Sequence, residues 1–325
     1  MKDQVPNFNN QSIQNILKKY YDTEGEIKSL VSFEDQNARI STKDEKYVLK
    51  ISNKKWSQKF VQMQTEVLDH LKKEAPELSF PSIINANNGK GTIFVEGFAV
   101  RLLTYLEGDL LTNIPRTPEL YRDVGRFLGQ FSKAMKSYSA PPNSDGSDKL
   151  WKLDKVLACK EYLPEVIDED ARDRIARLFE VYEKNIVPKL SSFRKAVIHG
   201  DANEQNFLIN PADPKKITGL IDFGEMQYGC QINDLAITLA YGLLGENDIK
   251  MASKEIISGY EKEFPIEDKE RKILYYLMAM RLVTNIIMTS LAAKQQPDNE
   301  YILISQGPAR ALLKRLEQEN YIQLK

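Results

Sequence analysis

The chain has 325 residues, of which 42% are hydrophobic and 28% are charged, so it has enough apolar material for a sizeable core and for about two domains. Lys and Arg number 45 and Asp and Glu number 46, giving a net charge of −1, so no binding of nucleic acid through bulk positive charge is expected. Two cysteines, Cys159 and Cys230, make no disulfide framework, and a reduced, cytoplasmic protein is expected.

No targeting or membrane segment is predicted. The N-terminal sequence MKDQVPNFNNQSIQ lacks the apolar segment of a signal peptide. Residues 273–293 approach the length of a membrane span, but Arg281 and Asn285 lie in the middle of this run. We therefore expect a buried helix of a larger lobe and no membrane partner.

The N-terminal third predicts a small antiparallel sheet with one helix packed on it. Helical spacing of apolar residues predicts helices over 11–21 and 57–74. Residues 27–40 and 46–52 predict two strands joined by the polar run STKDEK, and residues 91–108 predict two more that turn at Glu96 and Gly97. Because side chains alternate along a strand, Val48 and Lys50 share one face.

After Gly108 the pattern becomes mainly helical. Thr117 and Pro118 predict a helix start, and a long helical segment is expected from about 155 to 190. Two strands joined by NPADPK follow, and then helices to the end. The sequence thus predicts an α+β fold of two lobes, a nucleotide-binding sheet lobe over 1–105 and a larger helical lobe over 106–325.

Two neighbouring motifs predict a phosphoryl-transfer site. VIHGDANEQN, residues 197–206, places Asp201 and Asn206 five positions apart, and IDFG places Asp222 at the end of the next strand. Carboxylate and amide oxygens suit Mg²⁺. The protein-kinase catalytic loop has the same Asp and Asn spacing followed by Asp-Phe-Gly. Lys50 lies in YVLK, as the kinase lysine does in its strand, and Glu66 on the next helix is placed to pair with it.

The motifs VIHGDANEQNFLI and GLIDFGEMQYG resemble the aminoglycoside phosphotransferase and choline kinase superfamily, whose members share the protein-kinase-like fold. SFEDQNARI, YVLKISN, VRLLTYLEG, LWKLDKV and NEYILIS further resemble the hydroxylysine kinase family. The resemblance implies Asp201 as the catalytic base and Asn206 and Asp222 as Mg²⁺ ligands. It also implies that Lys50, paired with Glu66, holds the phosphates of ATP or GTP.

The same resemblance implies the rest of the nucleotide site. The backbone of the linker that includes Leu103, Thr104 and Tyr105 would bind the purine, and Val48 would cover it. The phosphate-covering loop, residues 32–37, lacks the protein-kinase glycines, so its backbone amides and Gln36 or Asn37 would have to cover the phosphates. Glu34 stands there where the family tends to have Asp.

Candidate acceptor-site residues each have two interpretations. Glu225 either recognises a cationic acceptor or faces water. Arg281 and Asn285 lie on one polar stripe of an apolar helix, which is either an internal hydrogen-bond network or, as favoured, the acceptor pocket, with Arg281 binding a substrate carboxylate. Trp151 either forms a wall of that pocket or packs in the core.

Two further residues are interpreted as structural. His199 is expected to be a buried, hydrogen-bonded residue that shapes the loop, since Asp201 is better placed to act as the base. Asp234 precedes an apolar helical run and is expected to cap that helix, although it would also suit a substrate amine.

The predicted function is transfer of a phosphoryl group from ATP or GTP to a hydroxyl of a small hydroxylated amine or amino acid, with 5-hydroxylysine favoured by the resemblance. Alternatives are an aminoglycoside, choline, homoserine or sugar kinase, and a nucleotide-binding pseudokinase. A protein kinase is disfavoured because no Ala-Pro-Glu anchor follows Asp222. The oligomeric state stays open.

Overall fold

The computed structural model describes residues 4–32, 35–140, 150–295 and 303–324. The N-terminal third is built on a six-stranded antiparallel sheet in the order β1-β2-β3-β6-β4, with β5 also paired to β6. The strands are β1 (Glu26–Leu30), β2 (Gln36–Ser41), β3 (Lys46–Ile51), β4 (Ile83–Ile84), β5 (Ile93–Val95) and β6 (Phe98–Thr104). Residues up to 105 are called the N-terminal lobe below, and the remainder the C-terminal lobe.

The two faces of this sheet are covered by different helices, α1 (Asn10–Tyr21) and α2 (Gln58–Glu74). Leu49 and Ile51 pack with α1 in a core of their own, whereas α2 joins the core of the C-terminal lobe. Both helices begin at side-chain caps, since Asn9 accepts from the amide of Ser12 and Ser57 from that of Phe60. The prediction of a single packed helix was therefore incomplete.

The strand predicted over residues 27–40 is two strands. The chain leaves β1 after Leu30, Val31 is fully exposed, and β2 begins at Gln36. Just before β2, the Asp35 carboxylate accepts hydrogen bonds from the Asn53 amide and the Trp56 indole, in the connection between β3 and α2. The predicted turn at Glu96 and Gly97 is present, with φ of 52° and 81°.

The C-terminal lobe is mainly helical and contains two small sheets, ordered β10-β9-β7 and β11-β8. Its strands are β7 (Asp109–Leu110), β8 (Lys195–Ile198), β9 (Phe207–Asn210), β10 (Asp213–Leu220) and β11 (Gln227–Cys230). Its helices are α3 (Pro118–Met135), α4 (Glu169–Asn185), α5 (Ile232–Gly242), α6 (Ile249–Glu263), α7 (Asp268–Arg271), α8 (Leu274–Gln295) and α9 (Gln306–Gln318). The predicted α+β, two-lobed, protein-kinase-like fold is confirmed.

The helix predicted over about 155–190 is interrupted. Tight 3₁₀ turns occupy Leu153–Glu165 and Val187–Ser192, and only α4 between them is α-helical. Pro164 explains the first boundary, because a proline lacks the amide that an α-helix interior needs.

Helices α3 and α6 approach closely enough to require glycine. A Cβ at Gly125 would lie 1.9 Å from the Ile256 carbonyl oxygen, and one at Gly259 would lie 1.9 Å from that of Arg122. Helix α8 is the one helix of the described ranges that is long and apolar enough to cross a membrane, and 67% of its most apolar window is buried in the fold. It contributes to the core of the lobe, as expected.

Candidate active site

The three motif residues converge where β8 and β10 end. The Ile221 amide donates to the Asn206 carbonyl at 2.9 Å, which joins the two segments directly. The Asn206 side-chain amide donates to the Asp201 backbone carbonyl at 2.8 Å and to its carboxylate at 3.3 Å. Because the amide nitrogen of Asn206 is engaged inside the loop, its Oδ1 is left as the atom that can face a metal.

Asp234 holds the loop that carries Asp201. It is fully buried, and its two carboxylate oxygens accept from the amides of His199 and Gly200, each at 2.8 Å. It is the third residue of α5 rather than the residue before the helix, so the predicted cap is wrong: the charge holds the catalytic loop instead. Burial raises the pKa of Asp234 to about 6, while both amides oppose the rise.

His199 has the structural environment that was expected. Its Nε2 lies 3.0 Å from the Ile221 carbonyl oxygen and donates to it, while its Nδ1 accepts from the Asp201 amide at 3.3 Å. Burial lowers the pKa of His199 to about 4, so the imidazole is neutral at physiological pH. Gly200 follows with φ of +79°, and a Cβ there would lie 2.3 Å from the Glu225 carbonyl oxygen.

Arg281 contacts the proposed base directly. From α8 it donates to the Asp201 carboxylate at 2.8 Å and to the Trp151 carbonyl at 2.7 Å, and it is only 4% exposed. Its guanidinium lies 5.5 Å from the Trp151 ring and 5.3 Å from the Tyr241 ring. The predicted bidentate grip on a substrate carboxylate stays a prediction: each terminal nitrogen binds one protein oxygen, while Nε is buried without a partner among the described residues.

The charge balance at Asp201 is suited to a base. Burial raises the pKa of its carboxyl to about 7 against the opposing effect of Arg281, and the charges of Glu225 and Asp222 add to the rise. A carboxyl group that titrates near neutrality combines a usable deprotonated fraction with real basicity. Glu225 itself is half-buried next to this pair and acts on the charges of both.

Asp222 lies at the opening of the site. It has a left-handed backbone, with φ of 58°, and its side chain is 53% exposed. Its Oδ1 accepts from the Gly224 amide and from the Lys50 ammonium, each at 3.3 Å. Lys50 lowers the pKa of Asp222 more than burial raises it, so the carboxylate is ionised and fits a hard cation.

The predicted ion pair between Lys50 and Glu66 is not formed. Lys50 pairs with Asp35 at 3.2 Å and with Asp222 at 3.3 Å. Glu66 instead accepts from Gln62, four residues earlier on α2, at 3.0 Å and from the Tyr138 hydroxyl at 3.2 Å. Burial alone would lower the pKa of Lys50, but Asp222 and Asp35 together raise it, so the ammonium stays charged.

The two residues predicted to cover the phosphates, Gln36 and Asn37, have different environments. Gln36 donates to and accepts from the Phe8 backbone at 2.7 Å in both directions, so its amide ties the N-terminal segment to β2 and is not available to phosphates. Asn37 lies opposite Lys50 in the sheet, donates to Ser32 at 3.4 Å, and has a buried Oδ1 without a partner among the described residues. Glu34, which stands where the family tends to have Asp, lies outside the described residues.

The purine linker is partly engaged within the protein. Thr104 donates its amide to the Ser82 carbonyl at 2.9 Å, and Tyr105 donates to the Lys46 carbonyl at 3.1 Å. Those two amides are therefore occupied, and binding of the purine by the other backbone groups of the linker stays a prediction. Val48 lies opposite Leu103 on the sheet face that carries Lys50, as its alternation predicted.

The two predicted residues on the polar stripe of α8, Arg281 and Asn285, have different roles. Asn285 donates to Ser305 at 3.1 Å and is 4% exposed, so it belongs to an internal network between α8 and the start of α9 rather than to an open pocket. Trp151 supplies its carbonyl and its ring to Arg281, which places it beside the proposed base. Sequence reasoning gave no role to Asp35 or to Tyr241. Asp35 lies in the SFEDQNARI motif, whose polar residues were the signal for it, whereas Tyr241 lies in none of the motifs.

No group of three or more His, Cys, Asp or Glu side chains that could hold a metal occurs within the described ranges. The donor set of the site is smaller, one amide oxygen of Asn206 and the carboxylate of Asp222. Both residues supply oxygen donors. Such donors fit a hard divalent cation whose remaining ligands would come from water or phosphate.

A fold of this kind with this loop defines a phosphotransferase. The chain belongs to the phosphotransferase enzyme family, whose family model matches residues 26–264. Hydroxylysine kinase of Danio rerio is 28% identical over 334 residues, covering 97% of this chain and 93% of the relative. Hydroxylysine kinase of Mus musculus is 28% identical over 311 residues, covering 86% and 81%.

Solved structures share the fold. An aminopropanol kinase associated with a microcompartment superposes with a TM-score of 0.72 at 14% identity, covering 98% of this chain and all of the other. The amicoumacin kinase hAmiN, in complex with AMP-PNP, Ca²⁺ and Ami, superposes with a TM-score of 0.70 at 15% identity, covering 95% and 94%.

Proposed function

We propose that this chain transfers the γ-phosphoryl group of ATP or GTP to a hydroxyl of a small hydroxylated amine or amino acid, with 5-hydroxylysine the favoured acceptor. One observation carries the proposal: the Asp201 carboxylate, held by Arg281 at 2.8 Å, lies in one loop with Asn206 and near Asp222. The relatives named hydroxylysine kinase, similar over most of the chain, support the choice of acceptor.

Asp201 orients the acceptor hydroxyl and takes its proton. The carboxylate is one quarter exposed on its side chain, so it can reach a bound hydroxyl, and Arg281 fixes one of its oxygens. The other oxygen is the one near the Asn206 amide. The neutral His199 shapes the loop and holds no proton for transfer.

Lys50 binds the α- and β-phosphates, and Asn206 and Asp222 hold Mg²⁺. When bound, Mg²⁺ neutralises charge on the β- and γ-phosphates. The Lys50 side chain is 14% exposed and its ammonium lies 3.3 Å from the exposed Asp222 carboxylate, so it is close to the proposed metal site. Val48 and Leu103 form the apolar surface on which the purine rests.

The acceptor is a cation in this proposal. Asp201, Asp222 and Glu225 make the acceptor side acidic, while the positive charge of Arg281 is already paired. An ammonium group near Glu225 would be stabilised there, whereas a neutral sugar would gain nothing from these charges. A substrate carboxylate would have to share Arg281 with Asp201 and the Trp151 carbonyl or use another partner.

A second candidate is a kinase for a larger polycationic acceptor such as an aminoglycoside, because the same acidic wall suits it. The proposal also includes a cytoplasmic location and action on small molecules, without binding to nucleic acid or to a membrane. A pseudokinase is disfavoured because Lys50, Asp201, Asn206 and Asp222 are all of the types that transfer needs.

A coupled assay of phosphoryl transfer tests the proposal. 5-Hydroxylysine, ethanolamine, choline, homoserine, an aminoglycoside and a neutral sugar are each offered with ATP and with GTP. We expect turnover with a hydroxylated amine, at least about tenfold above the neutral sugar. Turnover with the sugar alone would reject the cationic acceptor, and nucleotide binding without turnover of any acceptor would support the pseudokinase.

A further inference from the structure

A buried pair of cations lies side by side on the N-terminal sheet. Lys50 on β3 is directly opposite Arg101 on β6, so both side chains lie on one face of the sheet, where Arg101 donates to Ser52 at 3.2 Å and to the Val61 carbonyl at 3.5 Å. The side chain of Lys50 is 14% exposed and Arg101 is 2% exposed. Like charges buried next to each other are unfavourable unless carboxylates neutralise them.

Asp35 has the geometry of a fixed partner for Lys50, the more exposed of the two cations. Its Oδ1 accepts from the Asn53 amide at 2.9 Å and from the Trp56 indole at 3.0 Å, and its Oδ2 lies 3.2 Å from the Lys50 ammonium. One oxygen is therefore anchored to the backbone and to a large side chain, while the other meets the lysine. The side chain of Asp35 is only 11% exposed.

The two other carboxylates near Lys50 do not have such geometry. Asp222 is 53% exposed and its Oδ1 bonds Lys50, but the proposed function requires that carboxylate for the metal. Glu66 is held elsewhere, by Gln62 and by Tyr138. The same part of α2 is tied to the end of α3 through His70, whose Nε2 lies 3.0 Å from the Ala134 carbonyl.

We propose that Asp35 is the residue that positions Lys50 for the phosphates of the nucleotide, in the place that the kinase pattern assigns to a helix glutamate. The inference rests on the proposed function. When nucleotide and metal bind, Asp222 leaves Lys50 and Asp35 becomes its one remaining carboxylate partner among the described residues. Trp56 and the Asn53 amide keep Asp35 from following the lysine into the phosphate site.

Binding of the Mg²⁺ complex of a non-hydrolysable nucleotide, measured by calorimetry, tests this without any acceptor. Asp35→Asn should weaken affinity about tenfold, because a charge-assisted contact to the ammonium is lost, and Glu66→Gln should weaken it by less than about threefold. Trp56→Phe should fall between them. Asp44→Asn, an exposed acid at the far end of the same sheet, is the matched control and should leave affinity unchanged.

A double-mutant cycle separates positioning from simple support of the loop. In a Lys50→Met background, Asp35→Asn should cause little further loss, since there is no ammonium to position. Equal losses in the two backgrounds would overturn the proposal, as would a larger loss for Glu66→Gln than for Asp35→Asn. If the wild-type protein binds no nucleotide at all, the proposed function itself fails; if it binds and Asp35→Asn binds equally well, only this inference fails.

Discussion

The C-terminal half of the site is held by buried contacts around one carboxylate, whereas the N-terminal half centres on a lysine shared between two. Asp234, His199 and Arg281 all bond the loop that carries Asp201. Lys50 divides its charge between Asp35 and Asp222. This difference fits the proposal that Asp201 is the fixed base and that Lys50 exchanges one carboxylate partner when nucleotide and metal bind.

The largest expected effect is on the fixed base. Asp201→Asn should reduce kcat by about 10²- to 10⁴-fold, since the general base is removed, with little change in nucleotide affinity. Initial rates and calorimetry on the same protein check this. Asp213→Asn, an exposed acid on β10, is the control. Full turnover by Asp201→Asn would remove Asp201 from the mechanism.

The second-largest expected effect concerns Asp234, which binds two amides of the loop that carries Asp201. Asp234→Ala should lower the free energy of unfolding by about 3 kcal/mol, because two buried amides lose their acceptors. Asp234→Asn retains one acceptor oxygen and should lose less. Urea titrations at constant pH compare the two. Equal stability of Asp234→Ala and wild type would show that the loop does not depend on this contact.

The buried histidine predicts how stability depends on pH. The pKa of His199 falls from about 6.5 unfolded to about 4 folded, so the unfolded state gains a proton first as pH falls. Its contribution is complete above pH 6.5 and declines by about 2 kcal/mol by pH 5. His199→Gln should show a shallower decline than wild type between pH 7 and pH 5; parallel curves would contradict the neutral imidazole.

The smallest expected effect concerns Arg281. Asp201 must be ionised to accept a proton, so kcat/KM of the wild type should fall as pH drops below about 7. Arg281→Met removes the charge that opposes the rise in the pKa of Asp201, so this limb should move to higher pH, with about tenfold lower kcat/KM at pH 7. Arg281→Lys should move it less. If the acidic limb of the kcat/KM profile does not move in Arg281→Met, Arg281 does not act through the pKa of Asp201.

The same contrast explains what the sequence could predict. Asp201, Asn206 and Asp222 lie within a short segment whose spacing and strand ends are recognisable, so their convergence was foreseeable, as was the two-lobed fold. The partner of Lys50 was not, because Glu66 turns toward Tyr138 and Asp35 reaches the lysine only through a turn that breaks the predicted strand. The pairing of Arg281 with Asp201 joins residues 80 positions apart, which spacing along one helix does not reveal.

The most direct test of the central claim is identification of the product. The wild-type protein is incubated with 5-hydroxylysine, Mg²⁺ and ATP or GTP, and the phosphate ester is sought by phosphorus NMR and mass spectrometry. We predict a phosphate on the side-chain hydroxyl of the acceptor, formed at least about 10²-fold more slowly by Asp201→Asn. Absence of a phosphorylated product from every hydroxylated amine, with nucleotide bound, would contradict the assignment of this chain as a small-molecule kinase.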